Sequence, residues 1–244
     1  MSPSLVIAHR GASGYRPENT IAAFELALGQ RADMIETDLH RTADGAIVIT
    51  HDEDLAGLGG CGPIEHATLA QVRALDAGGG EPAPTLQEVL DRFGQRIPWN
   101  LELKRGSRGE YPGLEAAALE AVRARGLVSR VLFSSFYDSV LARLRALAPE
   151  ARIGLLLSQR MPARALERAG ALGAEAIHPE ASLVDATMIR AAHAAGLAVY
   201  VFTVDDPAEM RRLVDLGADG LFTNFPDRMH RVLEPPEGNR AVHP

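Results

Sequence analysis

The sequence predicts an α/β protein: a (β/α)8 TIM barrel with a small insertion after the second strand and its hairpin. Short β-branched or apolar runs alternate with Ala/Leu/Arg-rich helical segments, which implies a parallel sheet. Eight such runs occur in 244 residues, the strand number and chain length of a closed barrel. Helix-to-strand joints carry Gly126, Gly173, Gly196 and Gly217, where a helix end favours a residue with positive φ. An open doubly wound sheet is the other architecture that fits this alternation.

In chain order, the first strand is Leu5–His9. Pro17-Glu18-Asn19-Thr20 then opens a helix, with Asn19 or Thr20 as its cap. Met34–Asp38 is the second strand, and Thr42-Ala43-Asp44-Gly45 before Ala46–His51 reads as a hairpin, because Asp-Gly suits a tight turn. The hairpin folds His51 back toward Glu36 and Asp38. The Gly- and Pro-rich stretch of about 53–84 is the insertion, with one helical piece near Leu69–Leu75. Thr85 and Glu88 have capping-box spacing and start the next helix. The remaining strands are Trp99–Lys104, Val131–Ser134, Ile153–Leu157, Ala176–His178, Ala198–Thr203 and Gly220–Thr223. Amphipathic helices at Leu114–Arg125, Ser139–Leu147, Ala186–Ala195 and Ala208–Leu216 lie between them. The whole of 1–244 reads as one barrel domain, ending in a poorly ordered polar tail at about 234–244.

Hydrophobic residues make up 46% of the chain, enough for a sizeable core. A net charge of −7 argues against a nucleic-acid or anionic-membrane surface, but not against an anionic small molecule met by a locally positive site. The single Cys61 excludes an internal disulfide. With no membrane-spanning stretch and no leader-like segment, the expectation is a soluble, cytoplasmic protein.

The chemistry concentrates at strand ends. Glu36 and Asp38 are two apart on a strand, so both point to the barrel interior, where two like charges raise each other's pKa unless a cation lies between them. Glu102 is buried by pattern at another strand end. Three carboxylates without cysteine suit a hard cation, Mg²⁺ or Ca²⁺, with Mn²⁺ also admissible. Any one of them alone is as readily a structural ion pair. Three at the C-terminal ends of barrel strands, where barrel sites sit, favour a metal. His9 and His51 are the matching acid-base pair. Arg10 and Lys104 are fixed positive charges for phosphate oxygens, which also serve to neutralise the carboxylates. The set reads as a metal-dependent phosphate-ester site. Glu18 is read as a first-turn acid favoured by the helix dipole or as a partner of Arg10, in either case supporting the site from behind, and His178 as a pocket or structural histidine.

Other signals carry less. Gly57 to Gly62 matches G-x-G-x-x-G in letters, but Pro63 follows and no helix opens, so it is no dinucleotide loop. His40, His66, His193 and His230 read as surface residues. Ser134 and Ser135 lack a triad partner.

His9-Arg10-Gly11, Pro17-Glu18-Asn19-Thr20, Glu36-Thr37-Asp38, Thr42 to Gly45, His51-Asp52 and Glu102-Leu103-Lys104 closely resemble the glycerophosphodiester phosphodiesterase family. The resemblance continues through Ser134-Ser135-Phe136 and Asp219 to Asp227. It implies a phospholipase-C-like barrel, metal ligation by Glu36, Asp38 and Glu102, acid-base roles for His9 and His51, and phosphate contacts from Arg10 and Lys104. It also implies hydrolysis of glycerophosphodiesters to sn-glycerol 3-phosphate and an alcohol, directly or through a cyclic phosphate. Phe136 falls in one matching motif, and Phe202 stands where a tryptophan is common; both are read as pocket residues. Asn224 stands where an aspartate is common. Rival readings are a lysophospholipase D acting on lysolipids, a non-catalytic barrel that binds a phosphorylated ligand, and a sugar-phosphate isomerase. The last explains the fold but not three carboxylates with two histidines.

Overall fold

The computed structural model describes residues 4–159 and 164–234. The elements run β1 (Leu5–His9), α1 (Ile21–Gly29), β2 (Met34–Arg41), β3 (Ile47–Ile49), α2 (Leu69–Arg73), α3 (Leu86–Phe93), β4 (Trp99–Leu103), β5 (Arg105–Gly106) and β6 (Gly109–Glu110). They continue with α4 (Leu114–Arg123), β7 (Val131–Ser135), α5 (Asp138–Leu147), β8 (Arg152–Leu157), α6 (Ala165–Leu172), β9 (Ala176–Pro179), α7 (Ala186–Ala194), β10 (Ala198–Val201), α8 (Pro207–Leu216), β11 (Gly220–Thr223) and α9 (Pro226–Leu233). β1, β2, β4, β7, β8, β9, β10 and β11 are parallel neighbours, and β1 pairs with both β11 and β2, so the sheet closes into a (β/α)8 barrel.

Burial on both faces explains why the strands read as continuous apolar runs. Val6, Ala8, Ile35, Leu39, Trp99, Leu101, Val131 and Phe133 point outward into the layer under the helices. There Trp99 meets Phe24 of α1 edge-to-face at 5.2 Å, with Phe93 of α3 at 6.2 Å. The alternate residues fill the interior. Ile7, Met34, Leu132, Ala176, Tyr200 and Phe222 form a separate apolar cluster there. Above it, toward the C-terminal strand ends, the same rows turn polar: His9 registers with Glu36, Glu36 with Asn100, and Asp38 with Glu102. The apolar layer is thus the floor of a polar chamber.

Caps fix the helices that carry these strands. Thr20 accepts from the Ala23 amide, and Thr85 with Glu88 forms the expected capping box. The four joint glycines all have positive φ, from 62° at Gly173 to 98° at Gly217. The hairpin forms as read: β3 lies antiparallel to β2, Gly45 turns at φ 87°, and Thr42 donates its hydroxyl to Asp44 at 2.6 Å. The insertion has its own small core of Leu55, Leu58, Ile64, Ala67, Val72 and Ala83 against Val48 of β3. Of the expected polar tail only Glu234 falls among the described residues. Within those residues no helix is long and apolar enough to cross a membrane.

Candidate active site

His9 ends β1, and its ring is held from below the rim: Nδ1 lies 2.8 Å from Asn224 Oδ1, just past β11. Its Nε2 lies 4.0 Å from Glu36 Oε2, and 18% of the side chain is exposed. Burial, and next the Arg10 charge, lower its pKa to about 4. Arg10 turns away in a left-handed conformation, φ 55°, which lets its backbone N–H donate to Glu36 Oε2 at 3.0 Å. Gly11 follows at φ 83°, and a Cβ there would meet the Ala23 backbone at 2.7 Å, so only glycine permits this tight return to α1.

Glu36 and Asp38 point inward from β2, with Glu102 beside them on β4. One carboxylate oxygen from each lies within 4.8 Å of the others, with Glu36 and Asp38 buried. Lys104 places Nζ 3.2 Å from Glu102 and 3.3 Å from Asp38. Arg10 places Nε 3.2 Å from Asp38 and reaches Glu18 at 2.9 Å. Both cations lie within ion-pair distance of Asp38, yet neither is aligned to hydrogen-bond it, and the buried Asp38 Oδ1 accepts no hydrogen bond. Burial alone would raise the Asp38 carboxyl; Lys104 and Arg10 hold it below the usual carboxylate range. Glu36 is raised by burial and by Asp38, and Glu102 is pushed up to about 7 by burial against the pull of Lys104. Lys104 is half-buried, and against the cost of that burial Glu102 and Asp38 raise its pKa.

These residues fit a hard divalent cation. A buried carboxylate oxygen without a donor and two carboxyls disfavouring ionisation are what such an ion relieves, and an all-oxygen donor set is what it takes.

The hairpin and its following turn bring His51 to the same chamber, with Nδ1 held by Asp52 Oδ1 at 2.9 Å. Its support corrects the reading of His40 as a surface residue. His40 is wholly buried: β2 runs on to Arg41, and the Tyr111 ring packs edge-to-face against the imidazole at 5.6 Å. His40 Nε2 meets the His51 carbonyl at 3.1 Å while Nδ1 meets the Tyr111 hydroxyl at 2.7 Å. Burial lowers its pKa to about 4, so it holds this strut neutral. His66 and His193 are exposed, as read.

His9, Arg10, Glu36, His51, Glu102 and Lys104 line one cavity of about 240 Å³. Its apolar side is Phe136, Leu156 and Phe202, with Phe222 from the floor and Asn100 and Ser134 completing the lining. Phe136 and Phe202 stack edge-to-face at 5.9 Å. Glu18 stands outside the wall as the partner of Arg10. His178 does not line the cavity. It lies buried in the barrel between Tyr200 and Phe222, where Gly154 leaves it room.

Three further contributors do not read as site residues in the sequence. Asn19, one of two cap candidates, donates Nδ2 to Asp38 Oδ2 at 2.9 Å and accepts from Thr37 at 2.6 Å. Asn224 holds His9, and Asp205 holds Asn224. Only the departure of Asn224 from a common aspartate marked that position.

The profile of the glycerophosphoryl diester phosphodiesterase family matches residues 9–228. A glycerophosphodiester phosphodiesterase of Bacillus subtilis is 36% identical, the match covering 93% of this chain and 86% of that one. Another, of Caldanaerobacter subterraneus, is 34% identical over 94% of this chain and 98% of its own. Among solved structures, an Oleispira antarctica phosphodiesterase in complex with the product sn-glycerol-3-phosphate superposes with a TM-score of 0.85 at 33% identity, covering 96% of this chain and 98% of that chain. Motifs, barrel and chamber agree with these matches, and the chain belongs to the glycerophosphoryl diester phosphodiesterase family.

Proposed function

We propose that this enzyme hydrolyses glycerophosphodiesters to sn-glycerol 3-phosphate and an alcohol, with Glu36, Asp38 and Glu102 holding one divalent cation. The observation that carries this reading is the convergence of Glu36, Glu102, two histidines and two fixed cations on one cavity of about 240 Å³, with a carboxylate oxygen of the buried Asp38 within 4.8 Å of those of Glu36 and Glu102. The product bound in the Oleispira relative points the same way. Bound there, a divalent cation supplies Lewis-acid polarisation of a phosphoryl oxygen.

Lys104 and Arg10 neutralise the carboxylates and face the phosphate charge as it enters. Of the two histidines, one takes a proton from the nucleophile and the other delivers a proton to the leaving alcohol oxygen; where the nucleophile is the neighbouring glycerol hydroxyl rather than water, water then opens the cyclic phosphate to the monoester. The Phe136–Phe202 wall packs against the carbon skeleton of the substrate and excludes water from that side. A cavity of this volume is below the usual range for drug-sized ligands, which favours small head groups over lysolipids.

The test is a coupled glycerol 3-phosphate assay across several head groups with Mg²⁺, Ca²⁺ or Mn²⁺, repeated after chelation. Product release that stops on chelation and returns with one of the ions supports the reading. An unchanged rate in chelator removes the metal from it, and no glycerol 3-phosphate from any diester removes the substrate class.

A further inference from the structure

We propose that Asp205, acting through Asn224, is the positioning residue that fixes the tautomer and orientation of His9. The proposal rests on the reading of His9 as a proton-transfer group. Its geometric half stands without that reading.

Asp205 lies in the loop after β10. Its carboxylate gathers three donors from the end of β11: the Asn224 amide N–H at 2.8 Å, the Asn224 side-chain Nδ2 at 2.6 Å and the Thr223 hydroxyl at 3.1 Å. An ionised carboxylate accepts only, so the Asn224 side chain is locked with NH₂ toward Asp205 and Oδ1 toward His9. The flipped amide would set two acceptors 2.6 Å apart on the Asp205 side and so break a charge-assisted bond. Asn224 Oδ1 is therefore an acceptor, 2.8 Å from His9 Nδ1 and 2.7 Å from the Ser13 hydroxyl. His9 must donate at Nδ1, so its proton lies there.

Its Nε2 then carries the lone pair, facing the carboxylates of the chamber, 4.0 Å from Glu36. The ring is held in the form that accepts a proton at Nε2 without first losing one. A negative charge one residue removed from the ring achieves this, and among the described residues no carboxylate hydrogen-bonds the imidazole at Nδ1. The amide transmits orientation while keeping the charge of Asp205 away from His9.

The exchange of the pair tests it. Asp205→Asn leaves two amides facing each other, and Asn224→Asp sets two carboxylates together. The double variant Asp205→Asn/Asn224→Asp restores one amide and one carboxylate in reverse order, with an acceptor still against His9 Nδ1. Each single variant should lose at least about tenfold in kcat at little change in KM, within the ~10²–10⁴-fold worth of acid-base catalysis, and the double variant should recover most of that loss. A group that merely caps the turn would lower the melting temperature without this kcat pattern.

Because single variants can fail to fold, the ¹⁵N spectrum of the wild-type imidazoles is read as well, with His9 assigned by its loss in His9→Gln. A proton on Nδ1 is expected. A proton on Nε2 in the wild-type chain overturns the proposal, as does a folded Asp205→Asn enzyme with wild-type kcat or a folded double variant no better than the singles. The spectrum needs no turnover, so it separates failure of the positioning claim from failure of the hydrolase reading.

Discussion

At the scale of single residues, His9 and His51 are expected to dominate turnover. Replacing either by alanine should lower kcat by ~10²–10⁴-fold while the melting temperature stays near wild type, measured by the coupled assay and thermal unfolding. Near-wild-type turnover in His51→Ala would remove that histidine from proton transfer. The carboxylates give a second expectation. Glu102 is pushed up to about 7, and Glu36 is raised in the same direction. Only the ionised carboxylate binds a cation, so protons compete with metal below that pH. Affinity for Mg²⁺ or Mn²⁺ should therefore rise as pH goes from 6 to 8, with protons released on binding; calorimetry in two buffers of different ionisation enthalpy reads both. A pH-independent affinity without proton release would contradict it. The residue types that carry this chemistry were legible in the sequence, because acids at alternate strand positions share a face. Asn19, His40 and Asn224 were not, because nothing along the chain shows that a cap candidate reaches Asp38 or that a strand histidine packs under Tyr111.

Elements were legible where burial on both faces makes a strand continuous in apolar residues. The eight barrel strands fall within a few residues of the expected bounds, and β2 overruns its prediction because the hairpin ladder carries it on to Arg41. The two-residue strands β5 and β6 and the short turns of the insertion leave no periodicity to read. Packing between elements is equally silent, and Gly154 is the clearest case. A Cβ built there would lie 2.4 Å from His178 Nε2, so β8 needs glycine because β9 sends a ring into its place. Gly154→Ala should destabilise the fold by about 1–3 kcal/mol through overpacking, read as a lower urea midpoint. Pairing it with His178→Ala should relieve part of that loss, since the smaller side chain vacates the space. If the double variant is no more stable than Gly154→Ala, the contact is not the cause.

For the molecule as a whole, the buried histidines tie stability to pH. Burial lowers His178 to about 3, with neither ring nitrogen hydrogen-bonded, so the folded chain keeps it neutral while the unfolded chain protonates it near 6.5. The unfolded state then binds the extra proton below 6.5, and stability falls as pH drops. His178→Leu lacks this proton, so its stability relative to wild type should grow by about 1.4 kcal/mol per pH unit from about 6 down to 4. Urea unfolding at pH 8, 6 and 5 checks it, and a constant difference would show that His178 titrates alike in both states. The closed barrel was legible from the count and spacing of strands, whereas its seam was not. That seam joins β1 to β11, and across it Asn224 grips His9. His9, Glu36, Asp38, His51, Glu102 and Lys104 all precede residue 105. A chain emerging from the ribosome therefore exposes every proposed reacting group long before the strand that aligns the first of them exists. Competence arrives with the last strand, and turnover by this enzyme is in effect a measurement of whether its barrel has closed.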